Sequence, residues 1–139
     1  LALSGSIATG DAVLAAQACG ADFAYIGSAF IATQEARASA AYKQAIVDGD
    51  SDDIVYSNLF TGVHGNYLAP SIRAAGLDPE HLPESDPSQM NFGGDSAKAW
   101  KDIWGCGQGI GAVTEVATVA AYVAQLQRQY QAARQRLGL

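Results

Sequence analysis

Two short apolar runs of the sequence end in the same small polar dipeptide, and both dipeptides could bind a phosphate. The first run ends at Gly5-Ser6, and the second ends at Gly27-Ser28, 22 residues later. Glycine lets an anion approach the backbone closely, and serine adds a hydroxyl donor to its amide N–H. In parallel α/β folds, ligands bind beyond the carboxyl ends of the strands, where both dipeptides are expected. A turn that simply begins at Gly-Ser explains either dipeptide alone, so both interpretations of the pair stay open.

The glycine-rich stretch GCGQGIG, residues 105–111, is the next candidate for ligand binding. Gln108 could face a ligand with an amide that both donates and accepts hydrogen bonds. The alternative is a tight turn before the last helix, since a lone glycine-rich stretch is weak evidence for nucleotide binding.

No residue of the chain is predicted to be catalytic. His64 is interpreted as a loop histidine, because the sequence shows neither the pocket nor the orienting partner that a catalytic histidine needs. His81 is expected to be solvated, and Glu35 to lie on a helix surface, with a ligand-facing position as the alternative. The sequence contains no P-loop, no Ser-His-Asp set and no spacing of metal ligands.

Composition narrows the class of protein. The 139 residues, 49% apolar and 16% charged, are typical of one globular domain. A net charge of −6 argues against a nucleic-acid-binding surface, which needs clustered Lys and Arg. There is no apolar run of about 18 residues and no signal peptide, so no membrane span is expected and a cytoplasmic location is the default. Cys19 and Cys106 are expected to be buried free thiols, with a disulfide as the alternative.

The elements that must position the dipeptides form a βαβ pattern. Strands are predicted over residues 1–3 and 23–27, and a helix over 11–19, capped by Thr9 or Asp11, connects them. An unbroken apolar strand is typical of a parallel sheet, so the two Gly-Ser dipeptides are expected at one edge.

The rest of the chain is predicted to be mainly helical. A second helix is expected over residues 33–47, with Thr33 as its cap, and residues 54–60 form a strand or an extended loop. A terminal helix capped by Thr114 is expected to pack on a sheet, with a coiled coil as the alternative. A short helix would carry Ala97, Trp100 and Trp104. The apolar stripe of the terminal helix comprises Val116, Val119, Val123, Leu126, Tyr130, Ala133 and Leu137.

The segment that begins LSGSIATG and continues through FAYIGSAFIATQEARASAAYKQAIV resembles the nitronate monooxygenases. NLFTG, KAWKDIWGCGQGIGAV and the terminal helix are also similar to that family, so the resemblance covers essentially the whole chain. It implies an α/β chain that is the C-terminal portion of a TIM (β/α)8 barrel. Residues 1–49 would be the last two βα units, 50–112 an excursion with short helices, and 113–139 the terminal helix.

The resemblance also implies a cofactor and an activity. The enzyme would be an FMN-dependent oxidoreductase that oxidises alkyl nitronates, its small-molecule substrates, with O₂. The alternatives are an NAD(P)H:quinone reductase, a flavin-dependent enoyl-thioester reductase, or an inactive fragment that binds a phosphate or a partner. The residues implied to bind FMN are Ser4, Gly5, Ser6, Gly27, Ser28 and Gln108.

Some residues depart from the family pattern, and some family residues are expected elsewhere. Ser6 stands where the family prefers glycine, so it must adopt a backbone conformation that glycine adopts more easily. Ser28 replaces a threonine and keeps the hydroxyl, whereas Ala29 replaces an arginine. The family's catalytic histidine would lie upstream. The N-terminal part of the barrel, on the same polypeptide or a separate chain, would cover sheet edges and an apolar face that this chain leaves exposed.

Overall fold

The computed structural model describes residues 1–85 and 101–139. It consists of two compact units, the first formed by Leu1–Ser51 with Gln108–Leu139 and the second by Asp52–Gly107. Of the predicted short helix, Ala97 and Trp100 lie outside the described residues. No helix of the described residues is long and apolar enough to cross a membrane.

The first unit begins with the predicted βαβ arrangement. Strand β1 (Ala2–Ser4) is followed by helix α1 (Gly10–Ala18) and strand β2 (Phe23–Tyr25). The two strands pair in parallel, with Ala2 opposite Phe23 and Ser4 opposite Tyr25. Both strands therefore run in the same direction and end at the same edge, as the two apolar runs predict.

Of the two caps predicted for α1, the structure uses Thr9. Its hydroxyl oxygen accepts a hydrogen bond from the Ala12 amide at 3.2 Å, and its backbone is extended, as an N-cap requires. The helix ends where Gly20 takes a φ of +84°. Cys19, the C-cap residue, is an exposed free thiol, whereas Cys106 in the second unit is a buried free thiol. The prediction of free cysteines is confirmed, and the prediction that both are buried is wrong for Cys19.

The predicted single helix over 33–47 is two helices, α2 (Ser28–Ile31) and α3 (Ala40–Asp48). Ser39 caps α3, so the prediction that Thr33 is the cap is wrong. The buried Thr33 instead pairs with Ala117 in an isolated parallel bridge and donates its hydroxyl to the Phe30 carbonyl oxygen at 2.8 Å. This long-range pairing holds residues 32–39 out of helical conformation and overrides local propensity.

Helix α5 (Val119–Arg136) begins later than predicted, because Thr118 and not Thr114 is its N-cap. The Thr118 hydroxyl accepts from the Ala121 amide at 3.1 Å. Both carboxylate oxygens of Glu35 accept from the Val119 amide at 3.0 Å. Glu35 is therefore a second cap for α5, which explains its position better than a helix surface or a ligand-facing end does.

Helix α5 packs against α1 rather than against the sheet as expected. Its buried residues are Tyr122 and Ala133, while Val123 of the predicted stripe is 39% exposed. The approach of the helices depends on Gly10, whose amide donates to the side chain of Gln129 at 2.9 Å. A Cβ atom at Gly10 would lie 2.2 Å from the Leu126 carbonyl oxygen, which no packed structure tolerates.

The β1–β2 sheet carries exposed apolar side chains in this chain. Leu1, Phe23 and Tyr25 are 77%, 72% and 67% exposed, although their apolar character is typical of a buried strand. This exposure agrees with the expectation that the last strands of a barrel leave apolar surface open.

The second unit is built on a hairpin of β3 (Ile54–Ser57) and β4 (Gly65–Leu68), followed by helix α4 (Ala69–Ala74). The strands pair antiparallel, so the stretch predicted as strand or extended loop is a strand over its first half. Leu68 and Ile72 are fully buried and form the centre of this unit.

Replacing Gly10 by alanine should destabilise the protein, although alanine is the better helix former. The added methyl group must push α1 away from α5, and we expect the free energy of unfolding to fall by about 1–3 kcal/mol. Gly111→Ala is the matched control, since its Cβ would lie 3.7 Å from the nearest atom of Asp50, an ordinary contact. Urea unfolding of both variants measures the difference; equal stabilities would contradict the packing described here.

Candidate phosphate-binding site

The parallel register of β1 and β2 brings the two Gly-Ser dipeptides to one edge of the sheet. Ser4 and Tyr25 are paired residues at the ends of their strands, so the turn at Gly5 and the turn at Gly27 leave the sheet side by side. Adjacent strands are about 4.8 Å apart, which is close enough for both turns to contact one phosphate group. The remaining candidate, Gln108, begins a 3₁₀ turn that spans Gln108–Ala112.

The β1–α1 turn contains two consecutive residues with a positive φ, a conformation that L-residues rarely adopt. Gly5 has a φ of +106° and Ser6 a φ of +53°. Ser6 is the one residue other than glycine with a positive φ in the described part of the chain. The prediction that Ser6 adopts a conformation favoured by glycine is therefore confirmed.

Both glycines of the dipeptides face open space. A Cβ atom added at Gly5 or at Gly27 would meet no described residue within 4 Å beyond the chain neighbours. Gly27 has a φ of −111° and a ψ of −69°, in the right-handed helical region, which does not require glycine. Neither the backbone conformation nor contacts with the described residues require glycine at position 27, so the space beside it is open to solvent or to a bound group.

Ser28 is the first residue of α2, and Gly27 is the N-cap residue. Because glycine has no side chain, the N-cap residue itself makes no side-chain hydrogen bond to the first turn of α2. Amide groups at such a position and the adjacent serine hydroxyl are donors suited to an anion. The donor set at this edge of the sheet therefore fits a phosphate without needing a basic side chain.

The glycine-rich segment lies directly against the first turn. A Cβ atom at Gly109 would lie 3.0 Å from the Ser6 carbonyl carbon and 3.1 Å from its Cα atom. The sequence singles out Gln108 in this segment but not Gly109. The glycine itself is the only sequence signal for this contact, and it is equally compatible with the tight turn that the segment also forms.

Tyr122 of α5 supports both turns from the core side. Its hydroxyl donates to the Ala8 carbonyl oxygen at 2.9 Å, and its ring meets that of Phe30 edge to face, with centroids 5.0 Å apart. Ala8, Ala29 and Tyr122 form one buried cluster. Ala29 is only 4% exposed, so an arginine at this position could not be accommodated without rearranging that cluster.

The two histidines and the one cysteine of the second unit show no catalytic arrangement among the described residues. His64 stacks on Tyr56 with ring centroids 4.8 Å apart, and the exposed His81 pairs with Asp78 at 2.7 Å. That pair raises the pKa of His81, mainly through the hydrogen bond with Asp78. Burial raises the pKa of the Cys106 thiol to about 12, which keeps it protonated and unreactive. The described residues contain no group of three or more side chains placed to hold a metal ion.

Comparison with known proteins identifies similar sequences and folds. A sequence model of the nitronate monooxygenase family matches residues 2–128. Nitroalkane oxidase from Streptomyces ansochromogenes is 27% identical, with a TM-score of 0.73 over 98% of this chain and 40% of its own. FabK from Thermotoga maritima is 20% identical, with a TM-score of 0.70 over 98% of this chain and 45% of its own. A mutant of that FabK is 22% identical, with a TM-score of 0.72 over 98% of this chain and 42% of its own.

The chain thus spans between 40% and 45% of the length of these solved structures. No curated protein matches it.

Tyr122→Phe should weaken the support beneath the turns. The substitution keeps the ring contact with Phe30 but leaves the buried Ala8 carbonyl oxygen without its donor. We expect the free energy of unfolding to fall by about 1–3 kcal/mol, measured by urea unfolding at neutral pH. An unchanged stability would show that the hydrogen bond contributes nothing.

Tyr122 also makes the stability of the protein depend on pH in the alkaline range. Burial raises the pKa of Tyr122 from 10.0 to about 12, so the folded state favours the neutral phenol. The stability that the protein gains by burying Tyr122 as a neutral phenol is complete below pH 10 and is lost as the pH rises towards 12. Stability measured across that interval should fall more steeply in the unsubstituted protein than in Tyr122→Phe; parallel curves would contradict the burial of the hydroxyl.

Proposed function

Because the chain belongs to the nitronate monooxygenase family, we propose that it is the C-terminal part of an FMN-dependent TIM-barrel oxidoreductase that oxidises alkyl nitronates with O₂. The observation that carries the proposal is the parallel β1–β2 pair, which ends in two adjacent turns with open glycines. Ligands of parallel α/β folds bind at this edge, and in barrels a phosphate is often bound after the seventh and eighth strands.

The residues at this edge would hold the phosphate of FMN. Gly5 and Gly27 leave room for the phosphate oxygens, while Ser6 and Ser28 offer hydroxyl and amide donors. Ser4, at the end of β1, and Gln108 complete the set of residues that we assign to the cofactor. When bound, the flavin supplies the redox chemistry, and this chain's residues position it.

The rest of the barrel is the partner that we propose for the exposed sheet. Leu1, Phe23 and Tyr25 present apolar surface, and within residues 1–85 and 101–139 the strands β1 and β2 form a sheet only with each other. The N-terminal part of the same barrel, on this or a separate polypeptide, would pair with these strands and bury the surface. The catalytic histidine and the contacts to the flavin ring would lie on that part.

The activity is tested with protein that carries the complete barrel. We expect FMN to bind and O₂ to be consumed when an alkyl nitronate is added. NAD(P)H oxidation with a quinone or an enoyl thioester, without nitronate-dependent O₂ uptake, would instead assign a reductase. A colourless protein that shows no flavin absorbance near ~450 nm after incubation with FMN would indicate an inactive phosphate- or partner-binding module.

Gly27→Ala tests whether the open space at the strand end belongs to a ligand. The backbone accepts alanine and no protein atom is near the added methyl group, so stability should be unchanged within about 0.5 kcal/mol. The methyl group would occupy space that we assign to the phosphate, so affinity for FMN should fall by about tenfold, or roughly 1.4 kcal/mol.

Flavin fluorescence titration and thermal unfolding measure these two effects separately. If Gly27 merely begins a turn, FMN affinity will be the same in both proteins. Gly111→Ala, which adds the same methyl group away from this edge with only an ordinary contact to Asp50, is the control for the substitution itself.

A further inference from the structure

Ser6 holds a backbone conformation that its own chemistry disfavours. A φ of +53° brings the Cβ atom of an L-residue close to the following carbonyl oxygen, so serine adopts it only where its surroundings require it. The contacts that fix this residue therefore decide the geometry of the whole β1–α1 turn.

One contact with this turn comes from Gly109. A Cβ atom there would lie 3.0, 3.1 and 3.2 Å from the carbonyl carbon, Cα and carbonyl oxygen of Ser6. These are backbone atoms, which cannot turn aside as the end of a flexible side chain can. The segment can lie this close to Ser6 only because residue 109 has no side chain.

Gly111 lies in the same 3₁₀ turn as Gly109, but its environment does not exclude a side chain. A Cβ atom at Gly111 would lie 3.7 Å from the Cβ atom of Asp50, which is an ordinary van der Waals distance. Two glycines two residues apart thus differ in what they contact, and only one of them touches the candidate site.

We propose that Gly109 is a positioning residue that holds Ser6 in its left-handed conformation and thereby sets the geometry of the phosphate-binding turn. This inference rests on the proposed function, because the turn is assigned to the FMN phosphate there. Gly109 does not touch the ligand itself; its bare Cα atom acts through the backbone of Ser6.

Comparing FMN with riboflavin isolates this role, because riboflavin lacks the phosphate and keeps the flavin ring. In protein with the complete barrel, Gly109→Ala should lower FMN affinity about tenfold and leave riboflavin affinity unchanged. Gly111→Ala should change neither affinity. Because Ser6→Gly by itself removes a hydroxyl that we assign to the phosphate, Gly109→Ala is also compared within the Ser6→Gly protein. Its effect on FMN affinity should be smaller there, since glycine adopts the turn conformation unaided.

Several outcomes would overturn the inference. An unchanged FMN affinity in Gly109→Ala would do so, as would equal losses for FMN and riboflavin, which indicate general damage. A loss from Gly109→Ala that is as large in the Ser6→Gly protein as in the unsubstituted protein would show that the conformation of Ser6 is not what the contact controls.

The amide NMR signal of Ser6 separates this inference from the proposed function. It should shift in Gly109→Ala and not in Gly111→Ala, whether or not flavin is present. If the unsubstituted protein binds FMN no better than riboflavin, the phosphate assignment fails, while a shifted Ser6 signal still supports the positioning contact. An unshifted signal in Gly109→Ala refutes the positioning contact even where FMN binds.

Discussion

The parallel pairing of β1 with β2 is the constraint on which the candidate site depends. The three residue pairs of this register place Ser4 beside Tyr25, and no other arrangement would end both strands at the same edge. An antiparallel pair would send the two Gly-Ser turns to opposite ends of the sheet. The crossover through α1 is what makes the parallel pairing possible, because parallel strands need a connection long enough to return to the starting edge.

The position of α1 is in turn determined by its contact with α5. The backbone of Gly10 lies against that of Leu126 and Tyr130 at distances that exclude any side chain. From the same helix, Tyr122 reaches the carbonyl oxygen of Ala8, in the turn that leads into α1. The terminal helix therefore supports the candidate site without contributing a predicted ligand-binding residue.

The sequence predicted those elements of the first unit that are determined by residues close together in the chain. The apolar runs predicted both strands, and Thr9 predicted the beginning of α1, because a hydroxyl at an N-cap acts on an amide three residues away. The break between α2 and α3 and the late beginning of α5 were not predicted. Both depend on contacts between residues 84 positions apart, in which Thr33 pairs with Ala117 and Glu35 accepts a hydrogen bond from Val119. No pattern in the sequence indicates either contact.

The candidate site was likewise predicted only in part from the sequence. The sequence predicted that the Gly-Ser dipeptides lie together and that Ser6 takes an unusual conformation, because strand order and residue type determine both. It did not predict what holds Ser6, since a glycine that permits close approach looks the same as a glycine that permits a turn. Gly109 permits both the turn and the close approach, and the close approach is recognised only from the position of Ser6 in the structure. Glycine at position 6 would adopt the left-handed conformation unaided. Because serine does not, the segment packed against Ser6 must help to hold it in that conformation.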